Sequence, residues 1–171
     1  MIKNFAFSDR GSGWVMKVEI TQKMMVRAAW LAQDRNDKPE STNRRFHPET
    51  KDYDAHFMSA LVECAWEELT GWPVDGERLL EGDGGIDFTN AGRTYQVKAR
   101  NLAQYSKPDL LCRVDYAKAD RYILGEIDME EPEEVNFVGW CSRDDLTSGN
   151  TVDFGYGPRY VVGREDLRQW K

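Results

Sequence analysis

The tightest local constraint in this chain is the stretch 83–98, DGGIDFTNAGRTYQVK, where the turn formers Asn90-Ala91-Gly92 separate the run Ile86-Asp87-Phe88 from the alternating run Thr94-Tyr95-Gln96-Val97-Lys98. Two extended runs joined by turn residues predict an antiparallel β-hairpin. Strand alternation places Gln96 and Lys98 on one face and Tyr95, Val97 and Ala99 on the other. With Ile86 and Phe88 assigned to the apolar layer, Asp87 falls on the face of Gln96 and Lys98. A carboxylate, an amide and an amine are thereby expected on one side of a short hairpin. The pair Gly84-Gly85 removes side-chain bulk just before Asp87, as where a backbone bends or a ligand approaches closely.

Helices are expected on either side of a polar linker. Thr21 is placed to cap a helix running to about Asp34, with Met24, Met25, Ala28, Ala29 and Ala32 near helical spacing, a stripe that reads as core or dimer contact. The segment NDKPESTNRRFHPET carries two prolines and reads as a loop. From about Tyr53 to Thr70 the apolar positions Met58, Leu61, Val62, Ala65 and Leu69 form one buried face, ended by Gly71 and Pro73. Glu63 lies about 100° around from Val62, at the border of that face, and Glu67 follows one turn later. Short apolar runs at 110–114, 122–127 and 136–141 are expected to complete a mixed central sheet, with Trp14–Ile20 as an edge strand. Helical turns are expected at 143–146 and 165–170, and FGYGP reads as a loop. The fold class is α/β (α+β with a mixed sheet), organised as an N-terminal extension with one helix over 1–45 and a core over 46–171.

A chain of 171 residues suits a single core, and about 70% of its unfolded surface can be buried. No long apolar run predicts a membrane span, and the N-terminus lacks a secretory pattern, so a soluble cytoplasmic protein is expected. The three cysteines Cys64, Cys112 and Cys141 are widely spaced in apolar segments and read as buried free thiols. His47 and His56 stand apart from other ligand-like residues. A net charge of −7 argues against a generic nucleic-acid binder, but its distribution is uneven. Residues 122–134 hold six acidic and no basic residues, whereas 93–121 hold Arg93, Lys98, Arg100, Lys107, Arg113, Lys118 and Arg121 against three aspartates. Basic charge follows directly on the hairpin, and Arg44-Arg45 read as a solvated pair or, alternatively, a further DNA contact.

GGID followed by QVK resembles the active-site hairpin of the PD-(D/E)XK nuclease superfamily, the restriction-endonuclease-like fold. The similarity is to the branch with glutamine as the first residue of the (D/E)XK half, alongside modification-dependent restriction enzymes, Holliday-junction resolvases and small phage nucleases. It covers roughly 46–171. No proline precedes Asp87, and Gln96 is neutral where the commoner motif has an acid. The resemblance implies a central mixed sheet flanked by helices, with Asp87, Gln96 and Lys98 as catalytic residues. Glu63 completes the site from the preceding helix, and Glu67 is its substitute. It also implies Mg2+, or Mn2+ in its place, on Asp87, Gln96, the Val97 carbonyl and Glu63. DNA would lie against Arg93, Arg100, Lys107 and Arg113, and a homodimer is compatible with it.

Phosphodiester hydrolysis requires a nucleophile made from water, neutralisation of charge on the phosphoryl oxygens and help for the departing alkoxide, all of which a divalent cation can serve. Magnesium accepts one or two carboxylates, other oxygens and several waters. A charged Lys98 would orient water and phosphate and could act as base only if burial lowered its pKa. Asp83, beside two glycines, reads as a turn former. The leading expectation is a magnesium-dependent DNA endonuclease with a restriction-like or phage role. A structure-selective nuclease for branched DNA and a catalytically silent nucleic-acid-binding module on the same fold are the alternatives. A nucleoside triphosphatase is excluded by the absence of a GxxxxGK[ST] loop.

Overall fold

The computed structural model describes residues 7–9, 14–37, 52–74 and 85–170. Its elements are β1 (Phe7–Asp9), β2 (Trp14–Glu19), α1 (Gln22–Asp37), α2 (Asp52–Thr70), β3 (Phe88–Asn90), β4 (Arg93–Asn101), β5 (Leu110–Arg113), β6 (Arg121–Ile127), β7 (Glu134–Ser142), α3 (Arg143–Thr147), β8 (Asn150–Asp153) and β9 (Pro158–Val162). Six strands form a central mixed sheet in the order β1-β2-β7-β6-β4-β3. Within it β4 and β6 run parallel while the other neighbours are antiparallel. This is the expected α+β class, a mixed sheet flanked by helices.

Local signals account for the helices. Thr21 Oγ1 accepts from Met24 N–H at 3.2 Å, satisfying one of the free donors at the start of α1. The inner face of α2 buries Ala60, Leu61, Val62, Ala65 and Trp66 against the sheet. At its end Thr70 Oγ1 donates to the Trp66 carbonyl at 2.8 Å and accepts from Trp72 N–H at 3.2 Å, which turns the chain out of the helix. The expected N-terminal extension is woven into the same layers, since β2 pairs with β7 and α1 packs on α2.

Because alternate residues of β4 and β6 face opposite ways, the central sheet separates two cores. Tyr95, Val97, Ile123 and Ile127 join the core beneath α2, whereas Tyr122 and Leu124 join a second core with Leu110, Cys112, Val138, Cys141 and Leu146. A three-stranded sheet, β5-β9-β8, and the short α3 cover that second face.

Four expectations are corrected. The run at 110–114 does not enter the central sheet: β5 pairs with β9, Cys112 opposite Tyr160. An apolar run of four residues has no local preference for one sheet over another, and this choice was made by a partner about fifty residues on. Ile86 packs with the second core, opposite Phe88, because β3 begins only at Phe88 and the chain bends before it. The strand at 14–19 is not an edge among the described strands, since β1 lies outside it. Only Arg164–Asp166 forms a helical turn in the last segment. Beyond the pairing of β2 with β7, which ends at Met16 and Phe137, Arg168 and Trp140 exchange two backbone hydrogen bonds instead, at 2.8 and 3.0 Å. Among the described residues, no helix is long and apolar enough to cross a membrane.

Candidate functional site

The hairpin turns on Ala91 and Gly92, both at positive φ (47° and 75°), the two-residue geometry that matches strand twist. That turn sets the register Asn90 to Arg93, Thr89 to Thr94 and Phe88 to Tyr95. Asp87 continues it, its N–H donating to the Tyr95 carbonyl at 2.8 Å. The carboxylate then reaches across to β4, where Oδ2 accepts from Val97 N–H at 2.7 Å. Asp87 is thus fastened to the middle of the Gln96-Val97-Lys98 tripeptide. Gly85 makes the bend possible: its φ is +82°, and an added Cβ would lie 2.2 Å from the Tyr116 carbonyl oxygen. The bulk-free approach expected of the glycine pair is therefore found at Gly85. Asp83 and Gly84 lie outside the described residues, as do Arg44, Arg45 and His47.

Asp87 and Gln96 are both buried. The small sheet brings Cys112 over this face, its thiol 3.6 Å from Gln96 Oε1. Burial pushes that thiol above its ordinary pKa, while the Lys98 ammonium pulls it down and the Asp87 carboxylate pushes it up. Cys112 thus contacts Gln96, and strand alternation puts Lys98 on the same face of β4 as Gln96. Kept protonated, Cys112 can donate to Gln96 Oε1 or to the Arg113 carbonyl at 3.4 Å. The other two cysteines are free and buried as expected, with Cys64 pushed up to about 11 and Cys141 to about 12, in both cases chiefly by burial.

The helix glutamates have other partners. Both oxygens of Glu63 accept from the Arg35 guanidinium of α1, at 3.1 and 2.6 Å, in a pair whose side chains are 5% and 9% exposed. Glu67 pairs with Arg27 one turn later. Sequence reasoning placed Glu63 at the border of the buried face but had no means of seeing that α1 would present an arginine there.

Arg93 and Lys107 are exposed, whereas the other two expected DNA contacts are engaged within the fold. Arg113 holds Asp115 through two bonds of 3.1 and 2.7 Å and lies over the Tyr116 ring. Arg100, on the same strand face as Lys98, lies 4.6 Å from the centre of the Tyr105 ring, and burial pushes its pKa down. The structure adds Arg159, which faces Arg113 across the small sheet; burial and that neighbour lower its pKa. The signal for Arg159 was its position just after the FGYGP loop, too weak to read alone.

The donors near the hairpin are hard oxygens: the Asp87 carboxylate and the Gln96 amide. They suit magnesium better than zinc, whose preferred thiolate would require Cys112 to ionise against burial. Among the described residues no three His, Cys, Asp or Glu side chains cluster as a metal site. Water and phosphate oxygens would therefore complete the shell, as is usual for magnesium. No known protein family, curated protein or solved structure matches this chain.

Proposed function

We propose that this chain is a divalent-metal-dependent DNA endonuclease of the PD-(D/E)XK type, in its glutamine-bearing branch. The observation that supports the reading is the bond of the Asp87 carboxylate to Val97 N–H, between Gln96 and Lys98, which share one face of β4. Asp87, Gln96 Oε1 and the Val97 carbonyl would hold Mg2+, or Mn2+ as substitute. Such an ion supplies charge neutralisation at phosphate and a more acidic water. Lys98 orients the attacking water and the phosphate by hydrogen bonding, as a compact charge on a flexible stem. Exposed Arg93 and Lys107 attract the backbone, and of the six acidic residues in the run 122–134 the one that lies within β6, Glu126, is buried and paired with Arg164 at 2.9 Å. Three free thiols accord with a reducing cytoplasm.

A second reading, a silent nucleic-acid-binding module, is favoured by the engagement of Glu63 with Arg35, which leaves Asp87 as the one predicted carboxylate at the hairpin. The deciding assay incubates the protein with supercoiled, linear, single-stranded and four-way-junction DNA, with magnesium, manganese or chelator. Metal-dependent cutting that disappears in both Asp87→Ala and Lys98→Ala supports the nuclease. Binding without cutting supports the module, and cutting retained by either mutant removes the proposed site. Preference for the junction identifies the structure-selective form.

A further inference from the structure

The inner positions Met24, Ala28 and Ala32 of α1 are buried, so the stripe that the sequence offers as core or dimer contact is core. Its outer face is apolar in the middle and covered by nothing described. Trp30 is 76% exposed and Val26 54%, the two most exposed large apolar side chains among the described residues. They stand one turn apart and are therefore neighbours on the helix surface. At 100° per residue, Lys23, Val26, Arg27, Trp30 and Asp34 fall within about 100° of one another, a stripe roughly 16 Å long. All five are exposed. Beside Trp30 lies an open groove of about 560 Å³ whose described walls are Gln22, Lys23, Val26, Arg27 and Trp30. A projecting indole next to a groove on the same face marks a contact surface.

We infer that α1 packs antiparallel against α1 of a second copy of this chain, with Trp30 of each copy seated in the groove of the other. A contact about a two-fold axis must be self-complementary, so that wherever residue i meets j, j also meets i. The outer stripe of α1 has that property. Lys23 and Arg27 lie towards its N-terminal end, Val26 and Trp30 in its middle and Asp34 at its C-terminal end. With the axis near residues 28–29, Lys23 comes opposite Asp34 of the second copy, and Trp30 opposite Val26 and Arg27. Arg27 is held by Glu67 with its side chain 44% exposed, placed to receive the indole as a cation–π partner. Antiparallel order also aligns the two helix dipoles favourably, whereas a parallel pair would set Lys23 against Lys23. Other occupants fit the stripe less well. An anionic membrane attracted by Lys23 and Arg27 would be repelled by Asp34 and by the net charge of −7. A purely apolar partner would desolvate the charges at both ends. The contact spans about three helical turns and is small for a permanent interface, so the dimer forms and dissociates with concentration. Neither the hairpin residues nor a metal take part in it.

Sedimentation velocity of the whole chain, without metal or nucleic acid, tests the contact. The native protein passes from monomer to dimer as its concentration rises. Trp30→Ala weakens the dimer roughly thirtyfold, the loss typical of a central aromatic anchor. Because Trp30 is exposed, the same change leaves the melting temperature of the dilute monomer where it was. Lys23→Asp and Asp34→Lys each weaken the dimer roughly fivefold by setting like charges opposite one another, and the double variant recovers the native dissociation constant. A monomer at every concentration overturns the inference, as does a dimer that Trp30→Ala leaves unchanged or a pair of charge reversals that fails to recover in the double variant. Capture of the native monomer by anionic vesicles in place of dimerisation also overturns it and assigns the face to a membrane.

Discussion

Replacing Gly85 with alanine tests the bend that positions Asp87, and Gly92→Ala is its matched control. Both residues have positive φ, +82° and +75°, so each alanine incurs about 1–2 kcal/mol for a left-handed backbone. Around Gly92 an added Cβ meets nothing within 4 Å, and that cost is all. At Gly85 the new Cβ would stand 2.2 Å from the Tyr116 carbonyl oxygen, a backbone atom that no rotamer change can remove. Either the 85–87 segment or the turn at 114–116 must move. Displacing Asp87 endangers its 2.7 Å bond to Val97 N–H, a charge-assisted bond worth about 1.5–3 kcal/mol. Gly85→Ala is therefore expected to lose about 3–5 kcal/mol against about 1–2 for Gly92→Ala. Urea unfolding followed by tryptophan emission measures both, and comparable slopes confirm that the same surface is being exposed. A difference below about 1 kcal/mol between the two would refute the reasoning, because the contact at Tyr116 would then not constrain Asp87.

Glu63→Gln is expected to lower stability by about 3–5 kcal/mol by removing the charge of one member of a buried ion pair, with partial recovery when Arg35→Met is added. Lost cleavage at an unchanged melting temperature would instead return Glu63 to the metal site. Gln96→Glu adds a charge beside Asp87, so half-maximal cleavage should need less magnesium and Gln96→Ala should need more, while the metal-free Glu variant is slightly less stable because like charges resist joint ionisation. An identical magnesium requirement in all three proteins would separate Gln96 from the metal. Asp145 is held at about 2, below the ordinary 3.8, first by the Ser142 backbone N–H and then by the Ser142 side chain and Arg168. A depressed carboxyl stabilises above its unfolded pKa, so this contribution is complete above about pH 5 and is lost as pH falls from there towards 2. Melting curves over that range should show a shallower decline in Asp145→Asn than in the native protein.

The hairpin register was legible in the sequence because it is local: Asn90-Ala91-Gly92 sets the turn, and the period of two then fixes which residues share a face with Asp87. The helices were legible for a similar reason, through Thr21 at one start, Gly71 at one end and apolar spacing between. Partnership across the chain was not. The run at 110–113 has the same composition whether it joins the central sheet or a separate one, and the choice belonged to residues 159–162. Glu63 carries no mark of the Arg35 that binds it, because an ion pair between helices depends on how those helices cross. Trp66, Trp72, Trp140 and Trp170 line one cavity although they share no period or motif, and a one-residue bulge in β7 turns Trp140 towards the others. What short-range sterics and turn chemistry control was readable in order along the chain. What only packing controls, namely which faces meet and which buried groups find partners, was decided in the tertiary structure.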